Sequence, residues 1–131
     1  MPAIEAIHHI ALITSNANYQ ASKQFYTEVL GFEVIQETYR KERDSFKLDL
    51  SINGKYQVEL FSFADARERA SYPEAKGLRH LAFAVANVAE WADYLIANGV
   101  RTEDIRLDEI TGKKFLFFYD LEGQPLELYE K

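Results

Sequence analysis

The chain has 131 residues, 47% hydrophobic and 14% aromatic, which is enough apolar side chain for one domain with a core and excludes a disordered chain. Its net charge of −6, with acidic and basic residues interspersed, excludes the basic footprint of a nucleic-acid or anionic-membrane binder. The lack of cysteine excludes disulfides, thiolate metal sites and cysteine nucleophiles.

Residues 5–13 form a bounded apolar run of strand length. Over 18–30, Tyr19, Phe25, Tyr26, Val29 and Leu30 recur at helical spacing, and Gly31 stands where a left-handed residue would end the helix. Strands are expected at about 32–38, 45–52 and 55–63, the last two joined by the hairpin turn Asn53-Gly54. The charged stretch 64–77, with Pro73 and Gly77, reads as a linker. A second set of elements follows: a strand at 78–85, then Val88, Trp91, Leu95 and Ile96 at helical spacing. That helix has Asn87 as N-cap, Glu90 three residues on, and Gly99 just past its end. Strands at 101–107, 114–119 and 124–130 complete the set, punctuated by Thr111-Gly112 and Glu122-Gly123. The expected fold is α+β: two tandem βαβββ modules, 5–63 and 78–130, in a single domain spanning 1–131. No apolar run approaches the roughly 20 residues that cross a bilayer, and the first residues lack a signal pattern, so the expected location is the cytoplasm.

The two modules are also copies in sequence. His9-Ile10-Ala11-Leu12 reappears as His80-Leu81-Ala82-Phe83, an offset of 80 − 9 = 71. Val58-Glu59-Leu60-Phe61 reappears as Leu126-Glu127-Leu128-Tyr129, an offset of 127 − 59 = 68, and Leu30-Gly31-Phe32 as Asn98-Gly99-Val100, again by 68.

Strand periodicity puts His9 on one face with Ile7, Ala11 and Ile13, and sends His8 to the other with Ile10 and Leu12. Ala11 and Ala82, two residues beyond each histidine, leave room on the His9 and His80 faces. Glu59 and Glu127 lie in the middle of otherwise apolar strands, where a carboxylate is costly to bury unless something compensates it. One divalent cation would compensate both and take the two imidazoles as neutral ligands, which makes His9, Glu59, His80 and Glu127 the candidate metal ligands. Taken singly, each of the four reads as an ordinary strand residue. Their recurrence at equivalent places in both modules favours the metal.

With these motifs the chain resembles the vicinal-oxygen-chelate superfamily, which includes glyoxalase I, fosfomycin-resistance proteins, extradiol dioxygenases, methylmalonyl-CoA epimerase and bleomycin-resistance proteins. The resemblance spans the chain, from His-Ile-Ala-Leu at 9–12 to Asp120-Leu121-Glu122-Gly123-Gln124-Pro125-Leu126-Glu127-Leu128-Tyr129. In detail it is most similar to short bacterial glyoxalase-I-like proteins. The resemblance implies a curved mixed sheet around one metal ion and a cytoplasmic homodimer acting on a small-molecule substrate. It further implies a lyase or isomerase that works through a metal-stabilised enediolate, with Glu127 and Glu59 as the catalytic carboxylates. Nickel, cobalt, zinc, manganese and ferrous iron all suit an N/O ligand set, and the resemblance favours nickel or cobalt. The alternatives are a ferrous extradiol-type dioxygenase, against which Glu59 as a fourth ligand argues, and a non-catalytic drug-sequestering protein.

Glyoxalase I has a glutathione-binding Arg where this chain has Ile13, and an Asn where it has Phe63, so the resemblance does not extend to glutathione. Arg40, Arg43 and Lys47 are alternative contacts for an anionic substrate, though a charged run such as 39–44 reads first as a solvated connection. Arg67, Arg69 and Arg79 carry the same two readings. Phe115, Phe117, Phe118 and Tyr119 are expected in the sheet core.

Overall fold

The computed structural model describes residues 1–70 and 75–131. Pro73 of the expected linker lies outside the described residues. The chain divides into two compact units, Met1–Arg67 and Glu68–Lys131, with the division inside the expected linker.

In the first unit the order is β1 (Ile10–Ser15), α1 (Tyr19–Gln24), β2 (Glu33–Arg40), β3 (Ser45–Ile52) and β4 (Lys55–Phe63). The four strands form one sheet in the order β1-β4-β3-β2, with β1 and β4 parallel and the other pairs antiparallel. The second unit repeats the plan with β5 (Leu81–Val85), α2 (Val88–Ala97), β6 (Arg106–Leu107), β7 (Lys114–Tyr119) and β8 (Pro125–Glu130), in the sheet order β5-β8-β7-β6. Each unit is therefore a βαβββ module. Among the described residues no helix is long and apolar enough to cross a membrane.

One face of each sheet is packed beneath its helix. In the first unit Leu12, Leu48, Leu50, Val58 and Leu60 are buried, with Tyr19, Phe25 and Tyr26 of the helical segment. Tyr19 stacks on Phe46 with ring centroids 4.3 Å apart. In the second unit Leu116, Phe118, Leu126 and Leu128 are buried with Val88, Ala92 and Leu95 of α2. Asn87 caps α2 as expected, its side chain accepting from the Glu90 amide at 3.0 Å.

Three of the departures from the sequence reading are large or change the kind of element. The first strand begins at Ile10, opposite Val58, instead of at residue 5. In that parallel register Ile7 would stand opposite Lys55, where β4 begins, so the residues before it have no strand to join. After Gln24 the first helix widens into a π-helical segment, Phe25–Val29, before Gly31 ends it at φ +77°. The expected strand 101–107 keeps only Arg106–Leu107 as ladder. The chain before it follows β7 through a single bridge, Thr102 to Phe118, and through the Glu103 amide donating to the Phe117 carbonyl at 2.8 Å. The Glu103 side chain turns to the Arg106 guanidinium and the Tyr119 hydroxyl.

The hairpin between β3 and β4 sets the position of the site. Asn53 and Gly54 both have positive φ, +51° and +81°, as a tight two-residue hairpin turn requires. Counting back from that turn would pair Leu48 with Glu59, since 52 + 55 = 48 + 59. A bulge between Leu50 and Ser51 shifts the ladder by one residue, so Glu59 faces Asp49.

Outside the site, Glu37 on β2 ties the sheet to the first helix. It accepts from the Tyr19 hydroxyl at 2.5 Å and from Lys23 at 2.9 Å. The Tyr19 hydrogen bond and Lys23 outweigh partial burial and hold the Glu37 carboxyl below its ordinary range. The pKa is lower in the folded state, so this stabilisation is full above the unfolded value near 4.5 and is lost as pH falls through the folded value. Tyr19→Phe is expected to cost about 1–2 kcal/mol at neutral pH in urea unfolding, and the deficit should shrink towards pH 3.

Candidate metal centre

The parallel pairing of the outer strands places the candidate ligands. Ala11 of β1 stands opposite Glu59 of β4, and the chain just before β1 carries His9 up to that carboxylate. His9 Nε2 lies 2.8 Å from Glu59 Oε2. In the second unit Ala82 stands opposite Glu127, and His80 Nε2 lies 2.8 Å from Glu127 Oε2. The two modules thus make the same pair with the same atoms at the same separation. Both carboxylates are buried, Glu59 at 6% and Glu127 at 8% exposure.

The donor set fits a divalent ion. Two atoms bound side by side to an octahedral ion at about 2.1 Å are themselves about 3.0 Å apart, which is close to the spacing in each pair. His80 Nδ1 is shielded and has no protein hydrogen-bond partner, so Nε2 is the nitrogen it presents. The structure brings His9 to Glu59 in the first unit and His80 to Glu127 in the second. Among the described residues no group of three or more His, Cys, Asp or Glu side chains stands in metal-holding proximity.

Three neighbours surround the first pair, and of these the sequence reading singled out only Lys47, as an alternative contact for an anionic substrate. His8 was expected on the opposite face, yet its Nδ1 is 2.8 Å from His9 Nδ1 and its ring packs 5.5 Å from Tyr56. Both histidines precede the first ladder residue, so strand alternation does not govern them. Tyr56 hydrogen-bonds Glu59 and also donates to Asp49 at 3.3 Å. Burial, then the hydrogen bond to Glu59, pushes the Tyr56 hydroxyl well above its ordinary value, so it stays a neutral donor. Lys47, whose neighbours read as a solvated run, sits 3.6 Å from Glu59 Oε1 and 3.6 Å from Asp49 Oδ1. Burial acts to raise the Glu59 pKa, but Tyr56, His9 and Lys47 together outweigh it and hold the carboxyl below its ordinary range.

The second pair has a different neighbourhood. By the offset of 68, Lys47 and Asp49 correspond to Phe115 and Phe117. Phe117 stands opposite Glu127 as Asp49 stands opposite Glu59, and its ring meets the His80 ring edge-on at 5.0 Å. Of the aromatics expected in the sheet core, Phe118 is there, whereas Phe117 and Tyr119 line a cavity of about 530 Å³ that His80 also lines. The run 39–44 is folded too. Residues 41–43 form a 3₁₀ turn, the Arg40 guanidinium lies 4.9 Å over the Phe61 ring, and Arg43 lies 5.5 Å over Phe63.

Comparison with known proteins agrees with this architecture. The chain belongs to the Glyoxalase/Bleomycin resistance protein/Dioxygenase superfamily, whose sequence model matches residues 6–128. It is 56% identical over 128 residues to the uncharacterized protein YwkD of Bacillus subtilis (strain 168), covering 98% of each chain. A crystal structure of a glyoxalase family protein from Enterococcus faecalis superposes with a TM-score of 0.86 at 49% identity, covering 96% of this chain and 98% of that one. The fosfomycin resistance protein FosX of Listeria monocytogenes, solved with Mn(II) and sulfate, shares the fold. Its TM-score is 0.73 at 21% identity, over 98% of this chain and 94% of that one.

Replacing Tyr56 with Phe removes a donor to Glu59 and should raise the Glu59 pKa in metal-free protein. A carbon-detected NMR titration of the Glu59 carboxyl, compared with Glu127 in the same spectra, measures that upward shift.

Proposed function

We propose that the chain is a metal-dependent lyase or isomerase acting on a small substrate with adjacent oxygens, and that His9, Glu59, His80 and Glu127 hold a single divalent ion. The observation that carries this reading is the duplicated pair, histidine nitrogen to buried carboxylate at 2.8 Å in each module. An isolated buried carboxylate could be explained by its one histidine. Two such pairs in matching registers, on a fold that holds Mn(II) in FosX, are better explained by a shared cation.

When bound, the ion supplies Lewis-acid stabilisation of the negative charge that proton removal leaves on the substrate oxygens. The chain's own residues handle the proton. Glu59 is already engaged by His9, Tyr56 and Lys47, which lowers its readiness to accept one. Glu127, beside Phe117 and paired with His80, is left as the base that takes the proton next to a carbonyl, with Glu59 as its partner carboxylate. Ile13 is 55% exposed and offers no charge, while Phe63 stacks with Phe61 at 6.3 Å. Neither can bind a glutathione carboxylate, so a different thiol adduct or a thiol-free substrate is favoured.

Glu127→Gln is expected to lower turnover about 10²- to 10⁴-fold. Glu59→Gln should weaken affinity for added Ni²⁺ or Mn²⁺ by about tenfold or more. Isomerase assays with several thiol hemithioacetals, paired with calorimetric metal titration, measure both. Wild-type affinity and activity in Glu59→Gln would remove it from the ligand set.

A further inference from the structure

The cavity in the second unit has a composition that the metal chemistry does not use. Four of the chain's seven arginines line it, Arg69, Arg79, Arg101 and Arg106, and among the described residues no lysine does. Among the described residues, three carboxylates line the cavity with those four positive charges, Glu68, Glu103 and Glu122. At about 530 Å³ the space is the size of a small-molecule site.

Two of the arginines lie over aromatic rings. The Arg101 guanidinium lies 4.1 Å over the Tyr119 ring, and Arg106 lies 5.4 Å over Phe117. A guanidinium held over a ring by cation–π attraction keeps several N–H donors, and their fork can grip an oxyanion with paired hydrogen bonds. Glu103 fixes the arrangement further. It accepts from both Arg106 and the Tyr119 hydroxyl, so its charge is spent on orienting this wall. The Glu103 hydrogen bond, with partial burial, raises the Tyr119 pKa and keeps the phenol a neutral donor. Phe117 touches both Arg106 and the His80 ring, so the guanidinium wall and the metal-facing histidine share one aromatic side chain.

We propose that this cavity is the anion subsite of the substrate, in which Arg101 and Arg106, supported by Arg69 and Arg79, bind a phosphate, phosphonate or carboxylate group. Only the placing of the reacting end at His80 rests on the metal reading above; the anion site itself does not. The substrate class is then a small molecule with an anionic group at one end and adjacent oxygens at the other. Specificity for the charged end would come from the arginines, which takes over the role that Ile13 and Phe63 cannot fill.

The test is calorimetric titration of metal-free protein at low ionic strength with inorganic phosphate and, separately, malonate. Wild type should bind at least one of them, and the stronger of the two distinguishes a phosphate-type from a carboxylate-type subsite. Arg101→Ala and Arg106→Ala should each weaken that binding about ten- to a hundredfold, while Arg40→Ala in the first unit leaves it unchanged. In wild type, amide chemical shifts on phosphate addition should move at His80, Arg101 and Phe117, a readout that needs no variant to fold. Binding of neither anion, unchanged affinity in both arginine variants, or shifts confined to other residues would overturn the proposal. Both arginine variants should keep wild-type Mn²⁺ affinity, which separates the two readings. In the wild type, absence of anion binding with Mn²⁺ binding intact rejects this subsite alone, and absence of Mn²⁺ binding with phosphate binding intact rejects the ligand set alone.

Discussion

The parallel pairing of the first and last strands of each module fixes everything that follows. Glu59 is 59 − 9 = 50 residues from His9 in the chain, and only the βαβββ path brings the two strands side by side. Once they are paired, Ala11 opposite Glu59 and Ala82 opposite Glu127 decide which face each carboxylate occupies. A slip of one residue would turn Glu59 into the core under the helix and expose Val58 or Leu60, so burial of that core enforces the register of the site. The apolar strands are thus what hold a carboxylate beside a histidine away from water. Alanine two residues past each histidine keeps the neighbouring space clear.

Duplication gave the two modules one plan, and divergence beside the carboxylates gave them different chemistry. In the first, Lys47, Asp49 and Tyr56 surround Glu59 with charge and a donor, and hold its pKa down. In the second, Phe115 and Phe117 occupy the places of Lys47 and Asp49, and arginines gather against Phe117 and Tyr119. One half is therefore suited to holding a carboxylate ionised, and the other to presenting a carboxylate and a histidine beside an aromatic, guanidinium-lined cavity. That asymmetry underlies the different roles proposed for Glu59 and Glu127.

Much of this was legible in the sequence, because periodicity and repetition are local signals. The tandem βαβββ plan, the Asn87 cap, the Asn53-Gly54 turn and the recurrence of one histidine and one glutamate in each module were all readable from spacing and repetition. What escaped did so for identifiable reasons. The bulge between Leu50 and Ser51 carries no sequence mark, and counting from the turn would have set Glu59 against Leu48 instead of Asp49 and hidden its polar neighbours. His8 was assigned by strand alternation at a position where the strand has not begun. The arginine wall depends on the broken edge at 101–107, where Glu103 turns to Arg106 and Tyr119 and the ladder lapses, and no periodicity foretells that.

The central claim is that both His–Glu pairs serve one ion, and metal stoichiometry tests it most directly. Elemental analysis and equilibrium titration of wild type, His9→Ala and His80→Ala should give one ion per wild-type chain, and either single substitution should abolish tight binding. Two ions per chain, each lost independently with its own histidine, would contradict a shared centre, as would full occupancy in both variants.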